Sequence, residues 1–219
     1  MSARRIIARA IMRRLRRDRR GAVLVEMAFT VPLLVLLGFG GIEIANLVLV
    51  HTRVSQIALG AADNASRIAT GDSLSQPIIR EIDINEVFSG VEKQARNMDF
   101  ERRGRVILSS LERNTDGGQW IHWQRCYGDL GVQSSFGAAG DGATGNAFPG
   151  MGPTGKEVTA AAGTAVMFVE VYYDYQPLLY GKWLGSQRIH TTAAFNVREA
   201  RDLREGFNPT PTGTVASCT

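Results

Sequence analysis

The sequence predicts an α+β fold: one long N-terminal helix, a short second helix, and an antiparallel sheet of about four strands. Three observations lead there. An apolar run extends from Ala22 to Val50, apolar residues then recur at steps of three and four as far as Ile68, and beyond Arg105 the pattern changes to β-branched and aromatic runs separated by Gly and Pro. Residues 1–21 therefore read as a basic leader and residues 22–70 as the long helix, with a membrane span over about 22–50 and an amphipathic continuation to about 69. Residues 71–219 read as a separate α+β domain.

The charge is divided along the same boundaries. The chain has a net charge of +4, but nine arginines (Arg4, Arg5, Arg9, Arg13, Arg14, Arg16, Arg17, Arg19, Arg20) against Asp18 give the leader +8 and leave −4 for everything after Gly21. A nucleic-acid partner would need its cations on a folded face to neutralise phosphates. Here they stand directly before an apolar run, so the lipid bilayer is the expected partner and nucleic acid is not.

Between Met27 and Ile42 the run contains no charge, and a hydrocarbon core takes roughly 20 apolar residues of helix. By the positive-inside rule the leader stays in the cytoplasm and the C-terminal domain lies outside. The continuing face is Leu47, Val50, Val54, Ile57, Ala61, Ala65 and Ile68, and the helix is expected to stop near Thr70, where Gly71 follows. A helix from Ala22 to that point would be about 72 Å long. Within the span, Pro32 removes one backbone hydrogen bond and should bend the helix. Glu26 is the one acid near the start of the run, where an ionised side chain either snorkels to the interface or finds a partner. A cleaved signal peptide fits less well, because the apolar run exceeds an h-region and the helix continues past Gly38-Phe39-Gly40.

The stretch Gly21-Ala22-Val23-Leu24-Val25-Glu26 resembles the cleavage site of type IV prepilins. With Met27-Ala28-Phe29, Val31-Pro32-Leu33-Leu34 and Phe39-Gly40-Gly41-Ile42-Glu43, it resembles TadE-like pseudopilins of the tight-adherence (Flp) pilus system. The resemblance implies a pilin-like fold, cutting between Gly21 and Ala22 by a prepilin peptidase, and assembly with other pilins or pseudopilins on an inner-membrane platform, with the outer domain periplasmic. Met27 stands where Flp-type major pilins carry tyrosine, and the chain is much longer than they are; both imply a minor pseudopilin. The resemblance further implies that Glu26 pairs with the α-ammonium of Ala22 on a neighbouring subunit. Counted five positions along a helix, Glu26 lies about 140° around, which argues against a pair within one chain.

In the outer domain, Ile84, Val87, Phe88, Val91, Ala95 and Met98 mark one face of a helix over about 84–99. Strands follow at about Arg105–Leu111 and Gln119–Tyr127 around a Thr115–Gly118 turn, then at Thr164–Tyr175 and Gln187–Arg198 around a Pro177–Gly185 connection. Alternation puts the Tyr172-Tyr173-Asp174-Tyr175 run with one face in the core and the other on the surface, where it could meet another subunit. Residues 128–155 hold nine glycines, the composition of a flexible loop.

Signs of chemistry are sparse. Gly150 to Lys156 fits GxxxxGK, but Glu157 replaces the hydroxyl residue that would hold magnesium and no strand precedes it, so no nucleotide is expected. His51, His122 and His190 are far apart, no metal-ligand spacing exists, and no nucleophile elbow is present. The expectation is an assembly protein without cofactor or catalysis; a membrane-anchored binding or sensor protein is the alternative. Cys126 and Cys218 are the only cysteines, and outside the cytoplasm they should form a disulfide clamping the Pro209- and Pro211-containing tail to the second strand.

Overall fold

The computed structural model describes residues 12–14, 20–68, 77–179, 185–198, 202–203 and 212–218. Most of the leader lies outside the described residues, as do Thr70, Gly71, Pro209 and Pro211. The chain forms two compact units, residues 1–46 and 47–219.

Helix α1, Arg20–Arg67, is helical on both sides of Pro32. In the first unit its apolar side chains are open on every side: residues 21–39 are all exposed, with Leu24 at 72% and Phe29 at 76%. A core helix of a soluble protein would be mostly covered, so this helix has the length and surface of a single membrane anchor.

In the second unit the rest of α1 turns amphipathic as its spacing predicts. Val54, Ile57, Ala58, Ala61, Ala62 and Ala65 are buried, and Leu47, Val50 and Ile68 pack at the margin of the same cluster. Helix α2, Glu81–Gln94, contributes Ile84, Val87, Phe88 and Val91. Its first turn is acidic, which suits the positive end of the helix dipole, and the Asp83 carboxylate accepts the Arg80 N–H at 3.1 Å. The single helix expected over 84–99 instead breaks after Gln94. Asn97 and Asp99 adopt φ of 68° and 51°, a conformation that Asn and Asp tolerate better than most residues. The break still leaves Ala95 and Met98 buried and starts the one-turn helix α3, Phe100–Arg103.

Four strands follow: β1 Gly104–Arg113, β2 Gln119–Tyr127, β3 Val166–Tyr175 and β4 Gln187–Asn196. They form one antiparallel sheet in the order β2-β1-β3-β4. The β1–β2 register shifts at His122: Ser110 pairs with Trp123 and Leu111 with Ile121, so His122 is the extra residue of a bulge.

One sheet face, including Val106, Leu108, Met167, Val169, Val171 and Tyr173, joins the helices in the main core. The opposite face is covered as well. Leu111, Ile121, Val166 and Phe168 pack with Phe136, Phe148, Met151 and Val158 from the segment between β2 and β3. The glycine-rich stretch that composition marks as a flexible loop is therefore a third layer, fastened by backbone and side-chain hydrogen bonds. Ile121 N–H donates to Asp141 O at 2.9 Å, and Gly140 N–H to Ile121 O at 2.8 Å. The Asn114 amide donates to Gly142 O and Gly145 O at 2.7 and 2.6 Å. Its glycines allow close approach: at Gly142 (φ +78°) a Cβ would lie 2.2 Å from Gln119 O, and at Gly118 it would lie 2.1 Å from Gly145 O. This layer also corrects the reading of the tyrosine run, since Tyr172, Tyr173 and Tyr175 are all buried.

Candidate functional site

The residues singled out by sequence fall into two separate groups. Gly21, Ala22, Glu26 and Pro32 lie in the first four turns of α1, and all four are exposed. Gly21 has no packing reason to be glycine, because a Cβ built there meets nothing within 4 Å. Among the described residues the Glu26 carboxylate makes no hydrogen bond or ion pair. The angular argument against a pair within one chain does not hold. Ala22 is the residue whose amine cutting would free, and Glu26 is four positions from it, about 40° around and about 6 Å along the axis. Angle alone therefore does not choose between its own chain and a neighbour.

The second group is the clasp between Cys126 on β2 and Cys218. The two form a disulfide with Cα atoms 4.9 Å apart, closing 92 positions of sequence. The segment 212–218 is also held by hydrogen bonds. Cys126 N–H donates to Ala216 O at 2.8 Å, the Asn85 amide to Thr214 O at 2.8 Å, and the Arg105 guanidinium to Cys218 O at 3.2 Å. Since β2 is an edge strand, the tail at Cys126 and the glycine-rich layer at Ile121 occupy backbone positions that an edge otherwise leaves open to another chain.

Sequence reasoning missed three buried polar clusters. Arg125 on β2 grips the carboxylate of Glu81 through Nε, at 3.1 and 2.9 Å, and through Nη2, while both side chains are nearly buried. The pair ties the start of α2 to the edge strand. It is hard to remove by halves, because losing one partner strands a buried charge at a cost of about 3 to 5 kcal/mol.

Glu170, fully buried at the centre of β3, receives hydrogen bonds from Ser134 Oγ, from Ser135 N–H at 2.9 Å and from Tyr172 OH at 2.8 Å. Ser135 Oγ is 2.7 Å from the same phenol, and His190 stacks on the Tyr172 ring with centroids 4.2 Å apart. In the third cluster, Glu112 accepts from Ser110 Oγ at 2.6 Å and lies 3.0 Å from His122 Nδ1. In both clusters the serine hydroxyl faces the carboxylate instead of the imidazole. Activation of a nucleophile needs the reverse order, hydroxyl on imidazole on carboxylate, so the geometry is that of polar anchors for the layers. The GxxxxGK stretch is likewise satisfied from within: the Glu157 carboxylate accepts Gly155 N–H at 2.9 Å, which holds its carboxyl below the usual range.

Burial, above all, pushes the Tyr172 hydroxyl up to about 12. A free tyrosine ionises near 10, so the folded state favours the neutral form. That contribution is complete below about pH 10 and is lost as pH rises toward 12. The stability difference between the native chain and a Tyr172→Phe variant, followed by denaturant unfolding, should therefore shrink over that interval. A difference independent of pH between 10 and 12 would contradict it.

No curated protein and no solved structure matches the chain. One family model does, and it covers residues 21–63, from the glycine before the apolar run to the amphipathic turns that pack on the sheet. Over those residues the chain is similar to the family described as TadE-like protein.

Proposed function

We propose that the chain is a minor pseudopilin of a tight-adherence pilus, cut after Gly21 by a prepilin peptidase and assembled with other pilins at the inner membrane. A TadE-like segment on an exposed apolar helix fits a membrane-anchored, pilus-associated protein. What carries the finer reading is the coincidence at residue 21. The family match, the end of the basic leader, the start of the anchor and a glycine that packing does not require all fall there.

On this reading residues 1–21 are cytoplasmic and the sheet domain is periplasmic. The disulfide supports that side of the membrane, since such bonds persist in oxidising compartments. Cutting leaves Ala22 as an ammonium at the positive end of α1, which favours a nearby carboxylate. Glu26 supplies it to a neighbouring subunit, and Pro32 bends the helix within its apolar run. Mass spectrometry of the membrane-extracted chain should find Ala22 as the first residue; Met1, in cells with an active prepilin peptidase, would sink the reading.

A second expectation separates assembly from processing. Glu26→Gln keeps the size and removes the charge, so insertion and cutting should proceed while co-purification with pilus subunits falls sharply. Undiminished co-purification would remove Glu26 from the assembly contact.

A further inference from the structure

The end of the second unit where α1 arrives from its apolar run gathers two features that the pilus reading does not use. Helices α1 and α2 run antiparallel: Asn64 and Arg67 line one cleft with Asp83 and Glu86, and Arg53, Gln56 and Ile57 line another with Gln94, Arg96 and Asn97. The second cleft is an open groove of about 580 Å³, and Gly60 faces the Gln94 amide at its edge. At the same end, Tyr173 OH donates to Met98 O at 2.7 Å, and Asp174 pairs with Arg188 at the base of the β3–β4 connection. That connection carries Leu178 and Leu179, which are 65% and 50% exposed.

The arginines of the cleft stand apart chemically. Among the described residues of this unit, Arg67, Arg80, Arg102, Arg103, Arg125, Arg188 and Arg198 pair with carboxylates. Arg105 and Arg113 donate to backbone carbonyls. Arg53 and Arg96 have neither kind of partner, and both line the same cleft, beside the amides of Gln56, Gln94 and Asn97. Two guanidinium groups with amide donors around them suit a phosphate diester. Their depth suits one source of it. Arg53 is three residues past Val50, where the span expected from the sequence ends, about 4.5 Å along the axis, and the headgroup layer extends roughly 5 to 8 Å beyond the hydrocarbon on each side.

We propose that this cleft binds the phosphate of an anionic phospholipid in the leaflet from which α1 emerges, with Leu178 and Leu179 resting in the same interface. The proposal depends on α1 spanning the membrane.

The test uses the full chain in nanodiscs of phosphatidylcholine alone or mixed with phosphatidylglycerol, read by amide hydrogen exchange over residues 94–97 and 177–179. Phosphatidylglycerol should slow exchange there by on the order of fivefold for each arginine engaged. Arg53→Gln/Arg96→Gln should abolish that slowing without unfolding the domain, because both side chains are exposed and unpaired among the described residues. Arg113→Gln, beside the β1–β2 turn, should keep it. Equal exchange in the two lipid mixtures, or slowing that survives the double substitution, would overturn the proposal. So would the same slowing produced by inorganic phosphate over phosphatidylcholine, which would mark a free-anion site. A chain that fails to co-elute with the nanodisc would instead refute the membrane anchor itself, and this proposal with it.

Discussion

In cells with an active prepilin peptidase, the Gly21→Val chain is expected to persist at full length, with residues 1–21 attached, while the unaltered chain is cut completely. The structure makes the result interpretable. Gly21 is exposed and nothing lies within 4 Å of a Cβ placed there, so valine disturbs no packing and a failure to cut reports recognition of the glycine. Gly38 and Gly40 are equally open to a Cβ, and a valine at either should leave cutting intact. Mass spectrometry of the three membrane-extracted chains decides it. Complete cutting of Gly21→Val would mean that no peptidase reads this glycine, and loss of cutting in all three would mean that valine perturbs the helix generally.

The largest stability effect is expected at the clasp. Opening a closure of 92 positions removes roughly 4 to 5 kcal/mol in the chain-entropy account. For a domain of this size that lowers the melting temperature by about 10 to 15 °C. Cys126→Ser and Cys218→Ser should each show the whole loss, and the double variant little more, because the two residues act as one unit. Reductant should reproduce it in the native chain. The readout is near-ultraviolet circular dichroism on heating in detergent. Oxidised and reduced chains melting within about 2 °C of each other would show that the hydrogen bonds of residues 212–218 hold the tail without the bond.

The two helical faces and the β1–β2 hairpin were legible because each depends on local periodicity. Gln119–Tyr127 is read with the observed bounds, and every apolar position assigned to α2 and its continuation is buried. The cysteine pair was legible by elimination. The third layer was not, because glycine has two uses that composition does not separate. It loosens a chain, and it lets one backbone approach another, as Gly142 approaches Gln119. The polar residues holding that layer look ordinary for the same reason. Gln124 and Glu170 occupy positions that alternation assigns to the face away from the helices, Asn114 lies in the turn after β1, and only the covering layer makes them buried anchors. Glu81 and Arg125 are 44 positions apart, and no local pattern announces such a pair. At Glu26, spacing places a carboxylate one turn from Ala22, and the identity of its partner came from the family resemblance alone.

With two cysteines in the whole sequence, the oxidised chain has a single intramolecular isomer, so no mispaired form competes with it and no shuffling is needed to reach it. The ribosome makes Cys126 first and its partner 92 positions later, after the glycine-rich layer and both remaining strands. Throughout that interval the edge strand carries a lone thiol, and the only disulfide open to it is one with another molecule. A chain cut short before Cys218 would stay in that condition permanently, as a covalent dimer or a mixed disulfide. Non-reducing electrophoresis would then distinguish complete copies from truncated ones.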